Sequence, residues 1–151
     1  MSVTPENIKI LGWKILTEQI ISPAEFDPDL ISYHGFHAHL ELDINPEDDV
    51  LKADLRIDVI TESEEKNEEE AQAVFQLLFY LKVEELPDYV ISREEEKIIL
   101  HSDLGNYLAA LTYSTSRGIL LGRVPGTALK DFILPVIDTD GLFSGNLNNK
   151  A

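Results

Sequence analysis

The chain has 151 residues, of which 44% are apolar and 26% are charged, the balance of an ordinary globular domain. Its 28 acidic and 12 basic residues give a formal net charge of −16, which repels nucleic-acid phosphates and anionic lipid headgroups. We therefore expect neither nucleic-acid binding nor binding to a membrane surface, and a basic partner is favoured electrostatically.

The lack of cysteine excludes disulfides, thiolate metal sites and a cysteine nucleophile. The first residues do not show a basic segment followed by an apolar core, so we predict no signal peptide. The longest apolar stretch, Ala73–Leu81, is interrupted by Gln76 and is too short to span a bilayer. We expect a cytoplasmic protein with one domain over residues 1–151 and flexible ends at about 1–6 and 145–151.

Four β-strands are predicted in the first part of the chain. Asn7–Ile21 is rich in β-branched and aromatic residues, and a long irregular crossover, Ser22–Tyr33, follows it. Phe36–Ile44 and Leu51–Val59 alternate strictly between apolar and polar residues, which is typical of antiparallel strands with one buried face. Ala71–Glu84 is apolar on both faces, so we expect a partner to cover its second face.

Two segments without a clear period are interpreted as connections. Glu62–Glu70 contains six glutamates and one lysine and is typical of a solvated hairpin loop. Leu86–Leu100 has Pro87 near its start and carries the acidic run Glu94–Glu96, and we predict no regular element in it.

A helix is predicted after His101, because Ser102 is a suitable N-cap and Asp103 is a favourable acid for the first turn. Its apolar stripe comprises Leu104, Leu108, Leu111 and Thr115. The opposite stripe consists of small residues, namely Gly105, Ala109, Thr112 and Ser116. The helix either pauses at Gly118 or continues to Val124, and a Pro-Gly pair then ends it. Strands followed by a helix predict an α+β fold with helices on one face of the sheet.

The segment Ile133–Phe143, I-L-P-V-I-D-T-D-G-L-F, resembles two reactive motifs. An aspartic-protease turn requires Asp, then Thr or Ser, then Gly in direct succession, but here Asp140 interrupts that order. A calcium loop with Gly141 at its sixth position would begin and end with apolar residues, which supply no oxygen ligand. We expect a turn, formed by its aspartates, that directs Leu142 and Phe143 back to an apolar surface.

His37 and His39 share one face of a predicted strand with Glu41, a geometry that can chelate zinc or nickel. No further His or Cys of suitable spacing completes a closed site, so we interpret these side chains as the polar outer face of a half-buried strand. The sequence also lacks the nucleophile elbow, the phosphate-binding loop, the dinucleotide glycine pattern and the zinc-protease motif. We predict no catalytic residues, no bound metal and no cofactor.

Several short motifs of the C-terminal third follow one another in a characteristic order. Tyr113–Gly118 is followed by Gly126-Thr127, then by Pro135-Val136, and finally by Asp140–Phe143. In this order, and in the long crossover after the first strand, the chain resembles the SecB family of cytosolic export chaperones. The resemblance implies a four-stranded antiparallel sheet with a long C-terminal helix packed on one face. It also implies a homotetramer, assembled as a dimer of dimers.

The activity implied by the resemblance is the ATP-independent holding of unfolded client polypeptides. The client-binding groove would contain crossover and tail residues, namely Phe26, Leu30, Ile31, Tyr33, Phe132 and Ile133. Ordinary core packing is the alternative for each of them. An acidic body would keep a loaded complex soluble while apolar grooves bind the client.

Two client classes remain open. Export precursors would be passed to the SecA motor ATPase, although Val74–Val83 lacks the acidic residue that export chaperones present to SecA from this strand. A related branch of the family protects the antitoxins of toxin–antitoxin systems. An alternative function, which belongs to a different functional class, is a non-catalytic adaptor of the same fold that binds one specific folded partner. A metal-dependent or hydrolytic enzyme is the third hypothesis, and no constellation of residues supports it.

Overall fold

A computed structural model of the chain describes residues 3–64, 69–94, 97–144 and 147–150. The predicted flexible ends lie partly outside these residues. The helix and strands within the described ranges are β1 (Ile8–Ile21), β2 (Ile31–Asn45), β3 (Val50–Ser63), β4 (Gln72–Val83), β5 (Val90–Glu94), β6 (Lys97–Leu100), α1 (Ser102–Leu121) and β7 (Leu147–Lys150).

The four long strands form an antiparallel sheet in the spatial order β1-β4-β3-β2, and the short β7 pairs with the outer edge of β2. The predicted α+β architecture, a four-stranded antiparallel sheet followed by a long helix, is confirmed. β7 adds a strand that its sequence, L-N-N-K, does not indicate, because it lacks β-branched and aromatic residues.

One face of the sheet packs into the main hydrophobic core of the protein. The strand register places Leu40 of β2, Leu55 of β3 and Leu77 of β4 side by side, and each is at most 1% exposed. Ile15 of β1 continues the row at the other edge and is half-buried. Successive strand residues point to opposite faces, so the strict alternation of β2 and β3 follows from having one face in the core.

The helix α1 covers this apolar face. Its buried residues are Leu104, Leu108, Ala109, Thr112, Tyr113, Ser116 and Leu120. Most of the predicted small stripe therefore lies in the core, where short side chains allow the helix axis to approach its neighbours closely. The hydroxyl oxygens of Thr112 and Ser116 are buried without a hydrogen-bond partner among the described residues, which costs stability.

Two expectations for the ends of α1 were wrong. The N-cap is His101, not Ser102, because the imidazole Nδ1 accepts a hydrogen bond from the backbone N–H of Asp103 at 3.2 Å. The helix neither pauses at Gly118 nor continues to Val124, but ends at Leu121. The backbone N–H of Val124 still bonds to the carbonyl of Leu120, which closes the last turn.

The connection Leu86–Leu100 contains regular structure that the sequence does not reveal. A 3-10 turn, Leu86–Tyr89, leads into the antiparallel pair of β5 and β6. These strands have only five and four residues, too few for an apolar period to be recognised. The acidic run between them, like the centre of the predicted loop Glu62–Glu70, lies partly outside the described residues.

The outer face of β4 is half-buried within the single chain. Val74, Leu78 and Tyr80 lie there, and the ammonium groups of Lys14 and Lys52 are 5.6 and 6.0 Å from the centroid of the Tyr80 ring. Lysine stems can cover apolar surface while their charges stay in water. The partner that we expected on this face remains a prediction.

Hydrogen bonds from α1 hold the tail that follows it. The Tyr113 hydroxyl donates to the Pro135 carbonyl at 2.7 Å, and the Arg117 guanidinium donates to the carbonyls of Leu134 at 2.8 Å and Pro135 at 3.2 Å. Burial raises the pKa of Tyr113 to about 12, so its hydroxyl keeps the donated proton at neutral pH. Two of the motifs that carry the family resemblance are thus in direct contact with each other.

Replacing Tyr113 by Phe removes the hydroxyl donor and leaves the ring. We expect the free energy of unfolding, measured by urea denaturation, to fall by about 1 kcal/mol with an unchanged m-value. Tyr107→Phe is the matched control, because the Tyr107 hydroxyl makes no hydrogen bond within the described part of the chain, and it should change stability by less than about 0.5 kcal/mol. Equal effects of the two variants would contradict the role of the Tyr113 hydroxyl.

Candidate functional site

The crossover between β1 and β2 meets the tail after α1. Asp27 caps the 3-10 turn Pro28–Leu30 by accepting a hydrogen bond from the Asp29 N–H at 2.9 Å. This turn presents the Asp29 carboxylate to Lys130 of the tail, whose Nζ is 3.0 Å away. Both side chains are largely exposed, so the ion pair joins crossover and tail at the surface and contributes little to global stability.

The tail alternates between the core and solvent at this point. Phe132 is 2% exposed, and its ring centroid is 5.4 Å from that of His34 in β2. Ile133, the next residue, is 58% exposed. Of the two predicted tail residues, Ile133 is available on the surface, whereas Phe132 belongs to the core in this state.

The predicted crossover residues divide between two faces of the sheet. Phe26, Leu30 and Ile31 are half-buried, and Ile31 pairs with Ser63, which belongs to the core-facing set of β3. Tyr33 pairs with Glu62 on the outer face, where the two side chains share a hydrogen bond. The structure therefore places Ile31 on the core-facing side of the sheet, where Phe132 of the tail also lies, and Tyr33 on the opposite side.

His34 contacts Phe132 of the predicted groove, although the sequence analysis did not include it among the client-binding residues. Its side chain lies on the core-facing side of β2, and its Nε2 is buried without a hydrogen-bond partner among the described residues. Burial lowers the pKa of this imidazole, and the nearby Asp131 carboxylate acts in the opposite direction. The sequence position indicates this placement, because His34 lies two residues before the buried Phe36 and therefore points to the same face of the strand.

The other strand histidines, His37 and His39, lie on the outer face of β2. His39 Nε2 contacts Glu41 at 3.1 Å on the outer face. Within 3–64, 69–94, 97–144 and 147–150, no group of three or more His, Asp or Glu side chains is arranged to hold a metal ion. A cavity of about 520 Å³ is lined by His37 and Tyr33 together with Asp58 and Glu62.

The D-T-D-G segment is a turn, as expected. Asp138 accepts a hydrogen bond from the N–H of Asp140 at 3.1 Å, and residues Thr139–Ser144 form a 3-10 helix. This turn buries Leu142 completely, and Phe143 is 38% exposed beside it. Nothing in the geometry of the segment pairs two carboxylates for proton sharing.

Comparison with known proteins identifies the architecture. No family model matches the chain, and no curated protein matches it significantly. Among solved structures, it is similar to the Mycobacterium tuberculosis Rv1957 SecB-like chaperone in complex with a ChAD peptide from the Rv1956 HigA1 antitoxin. The two chains are 15% identical, and the match has a TM-score of 0.57 over 87% of this chain and 91% of the other. The fold is SecB-like.

In the described part of the chain, no helix is long and apolar enough to cross a membrane.

Replacing His34 by Phe removes its titration and keeps a ring against Phe132. The folded state lowers the pKa of His34 below 6.5, so the unfolded state binds the proton more readily as the pH falls below that value. The stability that neutral His34 provides is complete above pH 6.5 and is lost as the pH falls through the lower, folded-state pKa. Wild type should therefore lose more unfolding free energy than His34→Phe between about pH 7 and about pH 5.

Urea denaturation of both proteins at the two pH values measures this difference. Carboxylate protonation affects both proteins alike, so the difference between them isolates His34. Parallel losses would show that the burial of His34 does not influence stability.

Proposed function

We propose that the chain is an ATP-independent holdase chaperone that binds unfolded or hydrophobic segments of client proteins without a cofactor. The observation that carries the proposal is the SecB-like fold, which extends over 87% of the chain. A holdase needs apolar surface for its client and charge to keep the loaded complex in solution. The formal charge of −16 supplies the second requirement.

The proposed client groove lies where crossover and tail meet. Ile133 is its exposed apolar contact, and Phe26, Leu30 and Ile31 form its half-buried crossover side. Phe132 would reach a client only after the tail separates from His34. Tyr33, on the outer face, would contact a client that passes around the edge of the sheet.

We propose that the protein assembles as a homotetramer, a dimer of dimers. In the described part of the chain, β1 pairs only with β4, which leaves its outer edge open along a strand of 14 residues. Exposed apolar residues of this strand are Ile10, Leu11, Trp13, Leu16 and Ile21. A long apolar edge strand promotes uncontrolled association unless it is paired, so pairing with another copy is the natural way to cover it.

Two client classes fit the groove. The antitoxin class is supported by Rv1957, whose solved structure is a complex with a peptide from an antitoxin, and a dedicated antitoxin is the client that we favour. For export precursors, the receiving partner would be the SecA motor ATPase. The six outward positions of β4 (Gln72, Val74, Gln76, Leu78, Tyr80 and Lys82) carry no acidic side chain, so acidic contacts for SecA would have to come from another strand.

A non-catalytic adaptor that binds one specific folded partner is the alternative function. Both functions use the same fold, and they differ in what they bind. A holdase suppresses the aggregation of unrelated unfolded chains, whereas an adaptor leaves them to aggregate.

Replacing Ile133 by Ser should weaken the holdase. We expect wild type at stoichiometric chain to suppress the aggregation of a chemically unfolded client, followed by light scattering. The variant should need roughly three to ten times more chain for the same suppression, because one large apolar contact is lost. Ile91→Ser on β5 is the matched control, since Ile91 is 64% exposed and lies away from the groove.

No suppression by wild type would contradict the holdase and favour the adaptor. Equal loss in the Ile133 and Ile91 variants would contradict the placement of the groove.

Sizing by static light scattering tests the proposed assembly. We expect a mass of about four times the 17.0 kDa chain. Leu16→Lys places a charge beside the edge of β1 and should shift the protein to smaller species. A monomeric wild type would contradict the proposed pairing of β1.

A further inference from the structure

Four of the 12 basic residues lie together on the outer face of the sheet, at the end away from the crossover. They are Lys9 and Lys14 of β1, Lys52 of β3 and Lys82 of β4, and we call them the lysine cluster. The strand register places Lys9 directly opposite Lys82, whereas Lys14 and Lys52 lie on the two sides of β4. All four side chains are exposed. In a chain with a net charge of −16, the cluster is a local region of positive charge.

The charges of the lysine cluster are not neutralised within the described part of the chain. There, none of the four ammonium groups forms an ion pair, whereas Arg56, Arg123 and Lys130 each do. Asp43 lies opposite Lys52 in the register without pairing with it. The carboxylate of Asp54, also on the outer face, accepts hydrogen bonds from the Gln76 amide instead. The cluster therefore keeps its charge available for a partner.

Lys9 and Lys82 form a like-charged cross-strand pair. Side chains directly opposite each other on an antiparallel pair are close enough for like charges to destabilise the sheet. Packing does not explain the two lysines, because both side chains are exposed. Local arrangements that cost stability in the isolated chain are concentrated at functional sites. A ligand of opposite charge would relieve the repulsion.

Apolar surface lies beside the lysine cluster. Leu78 and Tyr80 of β4 are half-buried on this face, and the ammonium groups of Lys14 and Lys52 lie close to the Tyr80 ring. The Tyr80 hydroxyl has no hydrogen-bond partner among the described residues, so it is able to donate to a carboxylate. Gly12 lies opposite Tyr80, and a Cβ at that position would meet nothing within 4 Å, which leaves the space beside the ring open.

We propose that the lysine cluster is a docking site for an acidic segment of a partner protein, in which aspartates or glutamates flank an apolar side chain. The carboxylates would pair with the lysines, and the apolar side chain would pack against Leu78 and Tyr80. This assigns a chemistry to the partner that we expected on the outer face of β4. Ile31 and Phe132 of the client groove lie on the opposite side of the sheet, so the proposal does not depend on the holdase function.

The charge of the rest of the chain limits the size of the acidic segment. Charges in water are screened beyond about 8 Å at physiological ionic strength, so a segment confined to the cluster interacts mainly with the lysines. A nucleic acid carries a phosphate at every nucleotide and would extend along the outer face of β3, where Asp54, Asp58 and Glu62 repel it. A short acidic polypeptide segment is therefore favoured over a nucleic acid.

Lys82→Glu reverses one charge of the cluster without altering the edge of β1 that we propose to pair. A glutamate opposite Lys9 replaces a like-charged pair by an oppositely charged one, so the variant should unfold at the same urea concentration as wild type or a higher one. Arg93→Glu is the matched control, because Arg93 is exposed in β5, outside the main sheet, and the substitution changes the net charge by the same amount.

The probe is a fluorescein-labelled peptide with a central Leu-Leu pair between glutamates, and its binding to the full chain is followed by fluorescence anisotropy at low salt. We expect wild type to bind it with a micromolar dissociation constant. Lys82→Glu should weaken binding by about tenfold or more, because a repulsion replaces an attraction. Arg93→Glu should bind like wild type. A peptide with glutamines in place of the glutamates should bind wild type at least about tenfold more weakly.

Equal affinity of the Lys82 and Arg93 variants for the glutamate peptide, or no binding by wild type, would overturn the docking site. Displacement of the peptide by an excess of unfolded client would also overturn it, because the peptide would then occupy the client groove. A labelled single-stranded oligonucleotide of similar length is the second probe, and we expect it to bind more weakly than the peptide. Tighter binding of the oligonucleotide, lost in Lys82→Glu, would show that the cluster binds nucleic acid and not an acidic polypeptide.

Discussion

The position of the tail depends on the hydrogen bonds that Tyr113 and Arg117 donate to the carbonyls of Leu134 and Pro135. The tail has no regular secondary structure at this point, so its backbone carbonyls need partners from elsewhere. Once the helix fixes these carbonyls, alternation along the extended tail puts Phe132 and Leu134 in the core and leaves Ile133 in solvent. The helix thus determines which apolar residues complete the core and which remain available for binding.

A single chain of this fold cannot bury all of its apolar surface. The sheet has two faces and two edges, but the described part of the chain provides one α-helix, one tail, the small β5–β6 pair and one short edge strand to cover them. The core side of the sheet is fully buried at Leu55 and Leu77, whereas residues of the edge strand β1 such as Trp13 remain about half exposed. A strongly acidic surface opposes uncontrolled association of such a chain. Apolar surface together with like charge is also the combination that a holdase requires.

The long strands could be predicted because burial on one face imposes a period of two, as the alternation around Leu40 and Leu55 shows. The short β5–β6 pair could not be predicted, since strands of so few residues do not establish an alternation of apolar and polar residues. For the candidate groove, only the placement of its residues can be compared with the sequence, and their binding role stays a prediction. Simple alternation from Phe36 indicates that Tyr33 points away from the core, but a register shift near Ser32 lets Ile31 face the core as His34 does, and alternation could not show this. The partner of His34, Phe132, lies about a hundred residues away in the sequence, and such long-range contacts leave no local pattern.

Hydrogen–deuterium exchange of the protein with and without a saturating unfolded client tests the central claim most directly. If client binds where crossover and tail meet, amides of 22–33 and 127–137 should exchange more slowly in the complex. Amides at the centre of the sheet, around Leu55 and Leu77, should be unchanged because they are already protected in the core. Unchanged exchange in both the crossover and the tail, with client bound, would contradict the account.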